Sequence, residues 1–282
     1  MLRFRYADSS FGQIHFATAG SGPKLLLLPG STRSYRQFLP FVPMLAPHFE
    51  VIAMDTLGYG ASGPFPAGGT IQSIATSTAE VLDFLGAERV HVFGMHTGHK
   101  VGAALAARHP ERVDRLIVAG KTHSLIPDQP RRNSAILSRL GSHAGINLAV
   151  SPVGKLAWLR TFKGVSGLWW NERLLEANGA ELVASIRNKI VDELTSLECT
   201  GPIYHANFEF DFAEALAAVT SPTLIIEVTH PSEDRAYGRQ AQKLVDIMQN
   251  AKLVELPSVD EVGLACNAET ADMATCIMQF LA

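Results

Sequence analysis

At 282 residues the chain is long enough for one large α/β domain with an insertion, or for two small domains. Its 47% hydrophobic and 18% charged residues describe a globular chain and exclude a largely disordered one; a net charge of -3 with a pI near 6.4 leaves no electrostatic footprint for nucleic acid or an anionic membrane. The opening MLRFRYADSSFG lacks an apolar signal core, and no apolar run approaches the roughly 20 residues of a membrane span. Cys199, Cys266 and Cys276 are odd in number and without CxxC spacing, so idle thiols are expected instead of a disulfide framework or a cysteine zinc site. The expectation is a cytoplasmic protein with a small-molecule partner, no nucleic-acid or membrane partner and no cofactor, for which a homodimer remains open.

In chain order, "RFRYA" and "QIHFATAG" read as two strands about the turn-rich "DSSFG", and "KLLLLPG" is a continuous apolar run typical of a strand covered on both faces. "FEVIAMD" at 49–55 has the same character. Ile71, Ile74, Ala75, Leu82 and Leu85 then fall at helical spacing, with Thr70 as N-cap and Gly86 at the C-terminal glycine position. Strands follow at "VHVFGM" (90–95), "DRLIVAG" (114–120), "TLIIEV" (223–228) and "KLVELP" (252–257), which brings the count to eight. Two more helical stripes run through Tyr237, Ala241, Leu244, Val245 and Met248, and through Met273, Cys276, Ile277 and Phe280. Strands alternating with amphipathic helices predict a mostly parallel sheet covered on both faces.

Residues 124–215 break that rhythm and read as a helical insertion without a convincing strand. The expected division is a core of 1–123 and 216–282 with a helical lid at 124–215. Trp158, Phe162, Trp169 and Trp170 are either ordinary packing between its helices or the lining of a pocket beneath it.

The turn in "VHVFGMHTGHKVGAALAARHP" holds the candidate chemistry. Gly94 and Gly98 remove the side chains that would block a sharp strand-to-helix turn, so His96 is expected to stand exposed at the carboxyl edge of the sheet. The following helix packs close through Gly98, Gly102, Ala103 and Ala106, and its free N–H groups point toward the turn. "GYGASG", Gly58 to Gly63, matches the G-x-G-x-x-G of a dinucleotide loop, but Pro64, Pro66, Gly68 and Gly69 follow where that loop needs a helix. It is read as a turn, and Asp55 before it as structural.

"LLLLPGSTRSYRQF", "VIAMDTLGYGASGP", the G-x-H-x-G turn with its helix, "LAARHPERVDRLIVAG", "SPTLIIEV" and the closing "IMQFLA" arrive in the order and spacing of the lid-bearing α/β-hydrolase superfamily, which the chain resembles over almost all of its length outside the insertion. The resemblance implies the α/β-hydrolase fold, an eight-stranded mostly parallel sheet flanked by helices with a helical lid, and hydrolase activity. It also implies a nucleophile, an acid and a histidine in that order. At the first position stands His96 in place of serine. At the second the nearest alignment gives His230, with Glu233 or Asp234 as alternatives, and at the third Glu261, with Asp260 as alternative. The oxyanion hole is expected from the backbone N–H groups of Ser31, after Pro29 and Gly30, and of Thr97. Gly30, His99, His123 and Trp169 are pocket candidates, although a lone histidine such as His99 or His123 is more often a packed, hydrogen-bonded residue.

With no hydroxyl at the elbow, a Ser-His-Asp mechanism has nothing to activate. The leading expectation is general-base chemistry from His96 on a small apolar carbonyl compound, of hydrolase or lyase type, with Glu261 orienting the ring. An acyl-imidazole on His96, a 2-His-1-carboxylate metal site from His96, His230 and Glu261, and a binding protein without turnover are the alternatives.

Overall fold

The computed structural model describes residues 1–125, 128–140, 179–229, 234–235, 237–258 and 267–282. All eight expected strands form: β1 (Arg3–Ser9), β2 (Gly12–Ala19), β3 (Lys24–Leu28), β4 (Glu50–Met54), β5 (Val90–Met95), β6 (Val113–Ala119), β7 (Thr223–Thr229) and β8 (Ala251–Pro257). They build one sheet in the order β1-β2-β4-β3-β5-β6-β7-β8. The β1–β2 and β2–β4 pairings are antiparallel and the remainder are parallel. This is the α/β-hydrolase fold that the motif order implies.

The continuous apolar strands are explained by a core on each face of the sheet. Leu26 and Leu28 of β3 join Val92 and helices α2 (Ile71–Phe84) and α3 (Thr97–Arg108) on one face. Leu25 and Leu27 join Phe93, a short helix α1 (Val42–Leu45) and the C-terminal helix on the other. Alternate side chains of a strand go to opposite faces, so a strand buried on both must be apolar at every position. Helix α2 starts where expected, the Thr70 side chain accepting from Ser73 N at 3.2 Å.

Helices α4 (Gln129–Leu140), α5 (Gly179–Thr195) and α6 (Leu197–Glu209) occupy the described part of the expected insertion, and α7 (Phe212–Ala218) runs across its expected end at 215. Helices α8 (Ala241–Ile247) and α9 (Asn267–Leu281) complete the chain. The stripe that begins at Tyr237 is shorter than its periodicity suggests. Gly238 has φ 73°, which breaks the helix, and the Gln240 side chain is drawn to the Thr122 backbone, accepting from its N–H at 2.8 Å and donating to its carbonyl at 3.0 Å.

Because β3 to β8 are parallel, their carboxyl ends open onto one edge, where the loops after β3, β4, β5 and β6 meet. Asp55, fully buried just past β4, ties the loops after β3 and β4 to each other and to β2. Its carboxylate accepts from Tyr35 N at 2.6 Å and Ala61 N at 2.9 Å, and lies 2.8 Å from His15 Nδ1. A Cβ on Gly60 would fall 2.1 Å from Asp55 Oδ2, so the glycine of this turn makes room for a carboxylate. The next helix starts only at Ile71, consistent with a turn and not a dinucleotide loop.

Candidate active site

His96 joins β5 to α3 with φ 48° and ψ -112°, a sparsely populated conformation for a side-chain-bearing residue that persists only where its surroundings enforce it. The two flanking glycines supply that enforcement. A Cβ on Gly94 would lie 2.4 Å from the Gly98 carbonyl oxygen, and one on Gly98 would lie 2.0 Å from the Leu28 carbonyl oxygen. Strand and helix therefore approach more closely than any other residue permits, and His96 is pushed outward, exposed, as its position in the sequence predicts.

The imidazole is seated between two further glycines. A Cβ on Gly30 would come 3.4 Å from His96 Cβ, whereas one on Gly120 would fall 2.6 Å from the ring itself. His96 Nδ1 is 3.2 Å from the Lys121 carbonyl oxygen. A carbonyl can only accept, so that contact assigns the proton to Nδ1 and leaves Nε2 with a lone pair. A neutral ring held this way is a base or a nucleophile.

Thr97 is the first residue of α3, and its N–H is one that the helix cannot satisfy from within. Its hydroxyl is 2.6 Å from Ser31 Oγ and accepts from Asn207 Nδ2 at 3.2 Å, which ties the loop after β3 to the elbow and both to α6. The same loop is anchored from α5. Ser34 N and Oγ donate to the buried Asp192 at 3.1 Å and 2.6 Å, and Arg36 adds a third bond at 3.1 Å.

Gly30, Ser31, His96 and Thr97 form one side of a cavity of about 240 Å³. Its volume is at the small end for a ligand site. The remaining lining includes Arg33, Lys100, Lys121, Tyr204, Asn207 and Tyr237. Lys121, just past β6, is paired with Asp234 and sits 3.6 Å from Glu227. Asp234, one alternative for the acid position, is thus engaged with a lysine. Lys100 is only 1% exposed, and its ammonium donates to Ser124 Oγ and to the Asn207 carbonyl oxygen, both at 2.7 Å. No carboxylate accompanies it among the described residues, and burial pulls its pKa down to about 7.

His99 lines the same cavity and is also packed. Its ring stacks on Phe212 at 4.8 Å, Nδ1 is 3.2 Å from the Ala119 carbonyl oxygen, and burial, reinforced by His96 and Lys100, holds it well below the ordinary histidine range. Its Nε2 and Asn207 Oδ1 are buried acceptors without a partner among the described residues. His123 opens the short 3-10 turn His123–Leu125 that follows the lining residue Thr122. His230, Glu233, Asp260, Glu261 and Trp169 lie outside the described residues.

The loop and helix prediction thus finds the elbow and its glycines and misses the cations of the cavity. One signal was present for Lys100: it directly precedes the small, apolar run "VGAALAA", which marks a helix without a solvent-facing side, and in the structure every residue from Thr97 to Ala106 is buried. Arg33 and Lys121 lie in loops, where only the fold brings them together.

Comparison with known proteins agrees with this geometry. Residues 23–141 match the family described as alpha/beta hydrolase fold. A fluoroacetate dehalogenase from Burkholderia is 33% identical over 119 residues, 40% of this chain and 39% of that protein. A soluble epoxide hydrolase from Corynebacterium is 34% identical over 114 residues, 40% of each. These matches span about two fifths of the relatives' length. The crystal structure of the enol-lactonase from Burkholderia xenovorans superposes with a TM-score of 0.72 at 24% identity, covering 98% of this chain and 99% of that one. By sheet order and by superposition, the chain has the α/β-hydrolase fold, and its residues 23–141 resemble the family of that name.

Proposed function

We propose that the chain is a hydrolase of small carbonyl compounds, esters or their relatives, driven by His96 as a general base. The observation that carries this reading is the elbow: an exposed imidazole at a strained position, with Nδ1 against the Lys121 carbonyl and Nε2 left as the free lone pair. Nε2 takes a proton from water, the resulting hydroxide adds to the substrate carbonyl, and the oxyanion is held by the N–H groups of Thr97 and Ser31. Collapse of the tetrahedral species returns the proton from Nε2 to the leaving oxygen, so no covalent enzyme intermediate is needed.

In this reading the Lys121 carbonyl orients the ring, the task the motif order assigns to Glu261. Glu261, in the segment after β8, adds the carboxylate that stabilises the imidazolium, and His230 stands at the acid position after β7. The relatives named as a dehalogenase and an epoxide hydrolase support hydrolysis ahead of a lyase reaction.

The apolar compound expected from Trp158, Phe162, Trp169 and Trp170 rests on residues outside the described ones, whereas the described lining carries Arg33, Lys100 and Lys121, which supports a substrate with a polar end.

Turnover of a panel of short aryl esters by the wild type and by His96→Ala tests the reading. Saturable hydrolysis that falls by roughly 10²–10⁴-fold in the variant is expected, the range for loss of a positioned base. Equal, non-saturable rates in both proteins would remove ester hydrolysis.

A further inference from the structure

Lys100 is an anomaly of placement that the proposed chemistry does not use. A lysine that is 1% exposed ordinarily has a carboxylate partner, because an ammonium taken out of water is costly unless it is paired. Here two of its three N–H groups meet neutral oxygens, Ser124 Oγ and the Asn207 carbonyl, and the third has no acceptor among the described residues. Arg33, on the same cavity, feels the charges of Asp192 and Glu193, but its buried Nε has no hydrogen-bond partner among the described residues. The hydrogen bonds and ion pairs of the acids go elsewhere: Asp192 to Ser34 and Arg36, and Asp234 and Glu227 to Lys121 and Arg239. Among the described residues no carboxylate lines the cavity, and its Lys100 end has cations without an acid beside them.

We propose that this cavity takes the carboxylate of its substrate on Lys100 and Arg33, so that the compound hydrolysed beside His96 is the monoester, or a related acyl derivative, of a short dicarboxylic acid. The inference rests on the cavity being the active site. A carboxylate supplies the acceptor for the third N–H of Lys100 and for Arg33 Nε, and it brings to Lys100 a counter-charge that no described lining residue carries. The cavity of about 240 Å³ limits the spacer between the two ends to a few carbons. The unpartnered acceptors His99 Nε2 and Asn207 Oδ1 are met by water or by an O–H of the bound compound and do not alter the sign of the charge required.

The probes are monomethyl glutarate and dimethyl glutarate, which differ at the far end only in charge and one methyl group. Calorimetric titration of the His96→Ala protein, in which turnover does not interfere, reads binding, and methanol release by the wild type reads hydrolysis. The monoester is expected to bind about tenfold or more tightly than the diester, the scale of one charge-assisted hydrogen bond. Adding Lys100→Met should bring the two affinities together, and Arg33→Gln, at a half-buried loop position, should narrow the gap. Equal affinity for the two esters, no binding of either, or a preference that survives both substitutions would overturn the proposal. A preference for the monoester without methanol release would leave the carboxylate site in place and sink the hydrolase reading. Release from the diester with no preference would do the reverse.

Discussion

Asp55 and Lys100 are both fully buried and lie within a few loops of each other, and they are treated in opposite ways. Asp55, at the end of β4, accepts from two backbone N–H groups and faces the His15 ring, with a glycine placed so that its carboxylate fits. Lys100, one turn into α3, has two neutral oxygens, the face of Phe212 at 5.8 Å and a cavity beside it, with no carboxylate among the described residues. The first arrangement has everything a buried ion requires, so its effect is confined to holding strand β2, the 3-10 turn Tyr35–Phe38 and the turn after β4 in register. The second is incomplete, and an incomplete polar site beside a cavity is where a ligand makes its largest difference. Satisfaction, more than burial, separates a structural charge from a functional one here.

The comparison is broken most severely by removing Asp55. Asp55→Ala strands the Tyr35 and Ala61 N–H groups and leaves His15 without its partner, and loss of one member of such a buried set costs about 3–5 kcal/mol. Urea denaturation should show that loss, and the aryl-ester activity of whatever remains folded should fall with it because the loop carrying Ser31 is tied to Tyr35. A loss below about 1 kcal/mol, the range of an exposed ion pair, would mean that Asp55 is not the anchor its contacts describe.

Lys100→Met should move stability the other way, by about 1–2 kcal/mol upward, as a buried cation is exchanged for an apolar chain of similar length at a site kept for function. The pH dependence gives the same comparison a sign. The ammonium has a folded-state pKa of about 7 against an ordinary 10.5. Below pH 7 both folded and unfolded chains carry the proton, and the folded state bears the full cost of burying it. Between the two values the unfolded chain binds the extra proton, so this residue makes stability rise with pH, and above 10.5 the cost is gone. The gap in urea midpoint between Lys100→Met and wild type should therefore shrink from pH 6 toward pH 10. A constant gap would show that the substitution acts through packing alone.

The same contrast explains what could be read in the sequence. The strands were legible because β3 to β7 are buried on both faces and must be apolar at successive positions, and the elbow because only glycine tolerates the Gly98 to Leu28 approach. Asp55 was legible as structural from the Gly-rich turn and prolines after it. The cavity was not. Arg33 and Lys121 are 88 residues apart by number and become neighbours only through the parallel order of β3, β5 and β6. Helix α8 was overread because the stripe from Tyr237 has the right period while Gly238 at φ 73° cannot belong to a helix, a conformation that the residue type permits without announcing. The aromatics at 158, 162, 169 and 170 suggested an apolar substrate because they were the bulkiest residues in view, and they lie outside the described residues; the cations that line the cavity come together only in the fold.

The smallest expected effect lies between these extremes, at a polar group that is satisfied and also borders the cavity. Thr97 Oγ1 accepts from Asn207 and shares a hydrogen with Ser31 Oγ, so its hydroxyl joins the elbow, the loop after β3 and α6 at one atom. Thr97→Val keeps the shape of the side chain and removes that atom. Stability should drop by about 1 kcal/mol, the net worth of a neutral hydrogen bond, with the Asn207 amide left to find water. If the hydroxyl serves to hold the Ser31 N–H where the oxyanion forms, kcat for aryl esters falls several-fold while KM stays near its wild-type value, since an interaction realised only in the transition state has been loosened. If KM rises and kcat does not change, the hydroxyl instead belongs with Lys100 and Arg33 among the groups that receive the substrate in its ground state. Either result places Thr97 on one side of the line between the chain's self-sufficient polar contacts and those waiting for a ligand.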